Sequence, residues 1–209
     1  MGPTVTIRVL DDIREDATAP PLQLSHMTPS DFVIPKTYGV EQTVAAILDR
    51  AKGRRIDLLT IVCHGIGALI HGDTEAATGN PVQFPGASSS PIQNAVCRVY
   101  GGYGLWLGKE MLTPANVSTF GQLRGWFADK GLIQIFGCAA ADTGPDTATL
   151  SGDGPKLMRT LAAVTGASVR APIQLQKVNV DMLGIARAEY TGPTYLFTAT
   201  GEKLETGAY

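Results

Sequence analysis

An α/β domain on a mainly parallel central sheet is the fold class this sequence predicts, and three observations predict it. Two apolar runs, Ile56-Asp57-Leu58-Leu59-Thr60-Ile61-Val62-Cys63-His64-Gly65 and Leu132-Ile133-Gln134-Ile135-Phe136-Gly137-Cys138-Ala139, are aliphatic or β-branched and have the length of buried strands. Segments with helical periodicity alternate with such runs, which is the pattern of right-handed crossovers between parallel strands. With 44% apolar residues in 209, the chain can bury one good core but not two, so residues 1–209 are expected to form a single domain.

In chain order, Thr4 to Leu10 alternates apolar and polar residues and suits a first strand, while Pro20-Pro21 and Thr28-Pro29-Ser30 read as surface connection. Val40, Val44, Ile47, Leu48 and Ala51 recur at helical spacing and stop at Gly53. The strand ending at His64 follows. From His71 to Tyr103 periodicity disappears among Gly79-Asn80-Pro81, Pro85-Gly86, Ser88 to Ser90 and Gly101-Gly102, so a long loop insertion is expected at about 72–104, bordering the site. Order resumes at Leu105-Trp106-Leu107-Gly108. A helix is expected with Phe120, Leu123 and Phe127 on one stripe, started by a capping box of Thr119 and Gln122. After the strand ending at Cys138 comes a glycine- and aspartate-containing loop, 139–154. Leu157, Leu161 and Val164 then mark a helix closed by Gly166, and Ala167 to Ala171 another strand. Val178 to Ala188 and Thr194 to Thr200, flanking Tyr190-Thr191-Gly192-Pro193, are expected to form a terminal β-hairpin.

Charge and composition narrow the partners. Nineteen acidic and 17 basic residues are scattered without blocks, giving a net charge of −2, so the footprint of a nucleic-acid or anionic-lipid binder is missing. No run approaches the roughly 18 apolar residues of a membrane span, and the acidic stretch around Asp11, Asp12 and Glu15 leaves no room for a signal peptide. Gly2 with Thr6 meets only the bare myristoylation pattern. Three cysteines are unlike a secreted disulfide framework, and the expectation is a cytoplasmic protein in a reducing compartment. Zinc, P-loop, dinucleotide and serine-hydrolase motifs are all missing, so no cofactor or metal is expected.

The chemistry is concentrated at the two strand ends. Groups at the carboxyl ends of neighbouring parallel strands face one crevice, so His64 and Cys138 can meet although they are remote in sequence. A thiolate is the attacking form of cysteine, and an imidazole can take its proton. Gly65 and Gly137 beside them permit unusual dihedrals or close approach of a substrate chain, and the amides of Gly65 and Cys138 can point at a developing oxyanion. Taken alone, Cys138 reads equally as a small buried hydrophobe and His64 as a histidine holding a turn; their joint placement favours function. Cys63 should point to the other face and pack in the core. Cys97 lies in the long insertion with no partner at a diagnostic spacing.

Thr60-Ile-Val-Cys-His-Gly65, then Gly104-Leu-Trp-Leu-Gly108, Ile133-Gln-Ile-Phe-Gly-Cys-Ala-Ala140 and Leu161-Ala-Ala-Val-Thr-Gly-Ala-Ser168 together resemble the caspase-like (clan CD) cysteine peptidases, most of all the bacterial CHAT-type branch. The similarity spans roughly Asp57 to Ala171. It implies a caspase-like three-layer sandwich with helices on both faces of the sheet. It also implies His64 as base, Cys138 as nucleophile, and the Gly65 and Cys138 amides as oxyanion donors. The substrate would be a protein or peptide, cleaved through an acyl-enzyme. Asp142 is the nearest candidate for pairing a substrate Arg or Lys, although solvated loop acids are the preferred reading of Asp142, Asp146 and Asp153 because surface Asp is common. The exposed composition of residues 71–103 and 139–154 makes the chain itself a possible substrate. Two other readings stay open: a non-catalytic caspase-like module that binds a peptide or partner protein at the crevice, and another thiol-dependent hydrolase or acyl transferase on the same dyad.

Overall fold

The computed structural model describes residues 2–11, 23–24, 27–70, 98–137, 140–141, 154–173, 178–180, 185–188, 190 and 192–206. Its strands, in chain order, begin with β1 (Thr4–Asp11), β2 (Gln23–Leu24), β3 (Phe32–Ile34), β4 (Arg55–Val62) and β5 (Gly65–Ile70). There follow β6 (Arg98–Leu107), β7 (Glu110–Leu112), β8 (Phe127–Phe136) and β9 (Ser168–Pro172). The series ends with β10 (Val178–Val180), β11 (Ile185–Ala188), β12 (Thr194–Phe197) and β13 (Lys203–Thr206). Helix α1 covers Val40–Ala51, α2 covers Gly154–Thr165, and a 3₁₀ helix covers Val117–Leu123.

Seven strands form the main sheet in the order β13-β12-β9-β8-β4-β1-β3. From β3 to β9 every pairing is parallel, and the β12–β13 hairpin is added antiparallel at the β9 edge. The α/β class and the mainly parallel sheet expected from the alternation are therefore present. The terminal hairpin exists too, but with other residues than expected. β12 pairs with β13, whereas β10 and β11 pair with each other and join β2 in a separate three-stranded sheet.

The helices were expected on both faces and, among the described residues, occupy one. One apolar cluster takes Val5, Ile7 and Val9 from β1, Leu59 and Ile61 from β4, and Ile133 and Ile135 from β8. It joins them to Val44 and Ile47 of α1, Phe120 and Leu123 of the 3₁₀ helix, and Leu157 and Leu161 of α2. Side chains alternate between sheet faces with period two, so all three helical elements sit on the face of these residues. Strand order explains why. The crossovers that carry the three helical elements, β3 to β4, β4 to β8 and β8 to β9, all advance in one direction, and right-handed crossovers in one direction stack their connections on one side. On the other face Leu10, Val62 and Phe136 are also buried, at the carboxyl ends of their strands.

Local sequence chemistry sets most element ends. Helix α1 starts where Gly39 N–H donates to the Gln42 side chain (2.9 Å) and Val40 N–H donates to the carboxylate of Glu110 on β7 (2.9 Å). It ends with Lys52 at φ 49° and Gly53 at φ 77°, both left-handed. Helix α2 ends before Gly166, as its stripe predicted. The expected helix through Phe127 is shorter: the 3₁₀ turn ends at Leu123, and Phe127 opens β8. Phe127 is buried in both readings, but β4 needs a parallel neighbour along its length, and pairing Ile56 with Phe127 supplies one. The far end of the expected 72–104 insertion is strand, since β6 begins at Arg98 and pairs with β5; residues 71–97, with Cys97, lie outside the described residues.

Candidate active site

Strands β4 and β8 run side by side in parallel, in a register that sets Thr60 opposite Gln134, Ile61 opposite Ile135 and Val62 opposite Phe136. Cys63 N–H extends the ladder by donating to Phe136 C=O (3.2 Å). Strands β4 and β8 thus end level with each other at the carboxyl edge of the sheet. His64 follows on β4 and is half-buried. Gly137 follows on β8 and is the last described residue before Cys138; Cys138 and Asp142 both lie outside the described residues.

Gly137 is held against the other strand end. A Cβ on it would lie 3.3 Å from Gly65 N, 3.1 Å from Leu105 Cδ2 and 3.4 Å from Cys63 Sγ, so any larger residue would push these groups apart. Neither Gly65 nor Gly137 has a positive φ. Close approach, rather than an unusual dihedral, is what glycine supplies here. Cys63 is buried on the helix-bearing face, as its place one residue before His64 predicted.

His64 is tied down through its main chain. Its C=O accepts a hydrogen bond from Trp106 N–H of β6 (2.9 Å). That bond makes Gly65 and Leu105 a non-hydrogen-bonded pair of the β5–β6 ladder, which turns the Gly65 N–H away from β6. The β6–β7 turn that supports this arm is anchored in turn. Gly108 N–H donates to the buried Asp11 carboxylate at the end of β1 (2.9 Å), Lys109 N–H to Tyr38 C=O (2.7 Å), and Glu110 caps α1.

Sequence reasoning missed Tyr190, which it assigned to a connecting turn. Its ring stacks on Phe136, two residues before Cys138, with centroids 4.2 Å apart and an interplanar angle of 18°. Its hydroxyl donates to Arg170 C=O on β9 (3.3 Å). Burial pushes the phenol pKa well above its ordinary value, opposed in part by the positive charge of Arg170 and a hydrogen bond with the Ile135 backbone. Nothing in the local sequence marks this residue, because its partners arrive from strands far away along the chain. Among the described residues no group of three His, Cys, Asp or Glu side chains could hold a metal, and no helix is long and apolar enough to cross a membrane. No protein-family model, curated protein or solved structure matches this chain.

Proposed function

We propose that this protein is a caspase-like cysteine endopeptidase that acts on a protein or peptide partner, with His64 as general base and Cys138 as nucleophile. The observation that carries the reading is the pairing of Val62 with Phe136 on adjacent parallel strands, with Gly65 N within 3.3 Å of the Cβ position of Gly137. Two segments remote in sequence reach one edge together, with His64 two residues beyond Val62 and Cys138 two residues beyond Phe136. Main-chain anchoring of His64 through Trp106, and a Gly65 N–H that is not spent on β6, also fit the reading.

In the proposed reaction the imidazole of His64 takes the thiol proton, and the sulfur attacks the scissile carbonyl carbon to form the C–S bond. The carbonyl electrons move to oxygen, where the amides of Gly65 and Cys138 donate to the oxyanion. Collapse breaks the C–N bond, and His64 returns the proton to the leaving amine. Water, deprotonated by the same imidazole, then hydrolyses the thioester and restores the thiol. A reducing, cytoplasmic setting would keep such a thiol active. In this reading Asp142 is the candidate to receive a basic substrate side chain, and the chain itself is a candidate substrate.

The test uses a thiol-directed peptidyl probe and a peptide library. Cys138→Ala is expected to abolish cleavage and labelling while leaving the thermal transition in place, and His64→Ala to slow both by about 10²-fold or more. Cleavage that survives Cys138→Ala ends the proposal. Absence of labelling at Cys138 across pH and substrate conditions favours a non-catalytic module that binds a peptide at the same edge. Turnover of esters without peptides favours a different thiol hydrolase.

A further inference from the structure

We propose that Tyr190 is a positioning residue for the end of β8, acting through Phe136 on the backbone that leads into Cys138; this rests on the peptidase reading above. Phe136 closes β8, and its ring lies on the face opposite the helices, the face shared with Val62 and Gln134 by the two-residue period of the strand. That end of β8 is gripped on three sides. β4 holds it through Cys63 N–H to Phe136 C=O, Leu105 and Cys63 close on Gly137 from the helix-bearing side, and Tyr190 closes on Phe136 from the other.

The Tyr190 grip has two parts with different chemistry. The ring, nearly parallel to that of Phe136, fixes the Phe136 side chain by stacking. The hydroxyl, bonded to Arg170 C=O, ties the same ring to β9, where Arg170 stands opposite Gln134 of β8. Tyr190 therefore spans the β8–β9 seam beside Phe136, two positions before the nucleophile in sequence. A catalytic thiol must meet its base within hydrogen-bond reach, so a small swing of the β8 end breaks the pair before it breaks the fold.

The experiment measures alkylation of the full chain by iodoacetamide across pH 5 to 9, followed by mass spectrometry on the peptide that contains Cys138. It compares the unaltered protein with His64→Ala, Tyr190→Phe, Tyr190→Leu and Phe136→Leu. The unaltered protein is expected to show a His64-dependent reactive limb on the acid side of the ordinary thiol range. Tyr190→Phe keeps the stack and is expected to retain that limb, rescuing the profile. Tyr190→Leu and Phe136→Leu lose the stack, and each is expected to react about tenfold more slowly at pH 6, with a profile like that of His64→Ala. A thermal transition well above the assay temperature establishes that these variants are folded. If Tyr190→Leu does not fold, Phe136→Leu carries the comparison. A leucine variant with the unaltered pH profile overturns this inference and leaves the peptidase reading standing. Coincident profiles for the unaltered protein and His64→Ala overturn both.

Discussion

Asp31, which is buried, and Tyr190, which is half-buried, are titratable groups with opposite consequences for pH. Asp31 has a side chain only 1% exposed and receives Arg8 at 2.6 Å, with backbone N–H groups of Arg8 and Thr28 at 2.9 and 2.7 Å. Burial alone would raise its pKa, but the Arg8 ion pair and these hydrogen bonds outweigh it and hold the carboxyl below its ordinary value. The folded state then binds the proton less readily than the unfolded one. The stability it confers is present above the ordinary carboxylate range and is lost as pH falls through the lowered pKa. Asp31→Asn is expected to cost about 2–4 kcal/mol at neutral pH in urea unfolding and to flatten the acid limb of stability. For Tyr190 the phenol pKa is raised, so its stabilisation is complete below the ordinary tyrosine pKa of about 10 and is lost as pH rises past it. Tyr190→Phe should remove that alkaline loss, which thermal melts at pH 8 and 10.5 can read.

At the scale of elements, the β6–β7 arm matters most, because it joins the helix layer to the strand that carries His64. Glu110 on β7 accepts both Val40 N–H at the start of α1 and the Asn116 side-chain amide (3.0 Å). Glu110→Ala removes a charged cap from the positive end of a helix and is expected to cost about 1–2 kcal/mol, measured by denaturant midpoint. Gly108 turns the arm at φ 63°, and a Cβ there would collide with the Tyr38 carbonyl oxygen. Gly108→Ala is therefore expected to destabilise by about 2 kcal/mol or more. It should also loosen the Asp11 anchor and slow Cys138 labelling, whereas Gly53→Ala, where a Cβ meets open space, should leave labelling unchanged.

On the whole-molecule scale one apolar cluster runs from α1 through the 3₁₀ helix to α2 and across eight strands, so its parts are expected to melt together. Phe120 is fully buried in the 3₁₀ helix, which contacts both α1 and α2. Phe120→Ala is expected to cost about 3–5 kcal/mol and to lower one shared transition seen by circular dichroism and tryptophan fluorescence. Non-coincident transitions would show that the core is divided. Local patterning made much of this legible: the stripes of α1 and α2, the strands expected to end at His64 and Cys138 and observed as Arg55–Val62 and Phe127–Phe136, and the inward-facing Cys63 all follow from periods that neighbours in sequence impose. Other features were not legible. Phe127 left its helical stripe because β4 required a parallel partner, and the helices gathered on one face because the crossovers that carry them, from β3 to β4, β8 and β9, advance in one direction, which no single segment encodes. Residue spacing thus determined both α-helices and the buried strands that run up to a histidine and a cysteine. Tertiary structure decided that β4 and β8 are neighbours in register, that Gly137 sits tightly against Leu105, Gly65 and Cys63, and that Tyr190 grips Phe136. Those depend on distances across the sheet, and distances of that kind are settled only when the whole chain has packed.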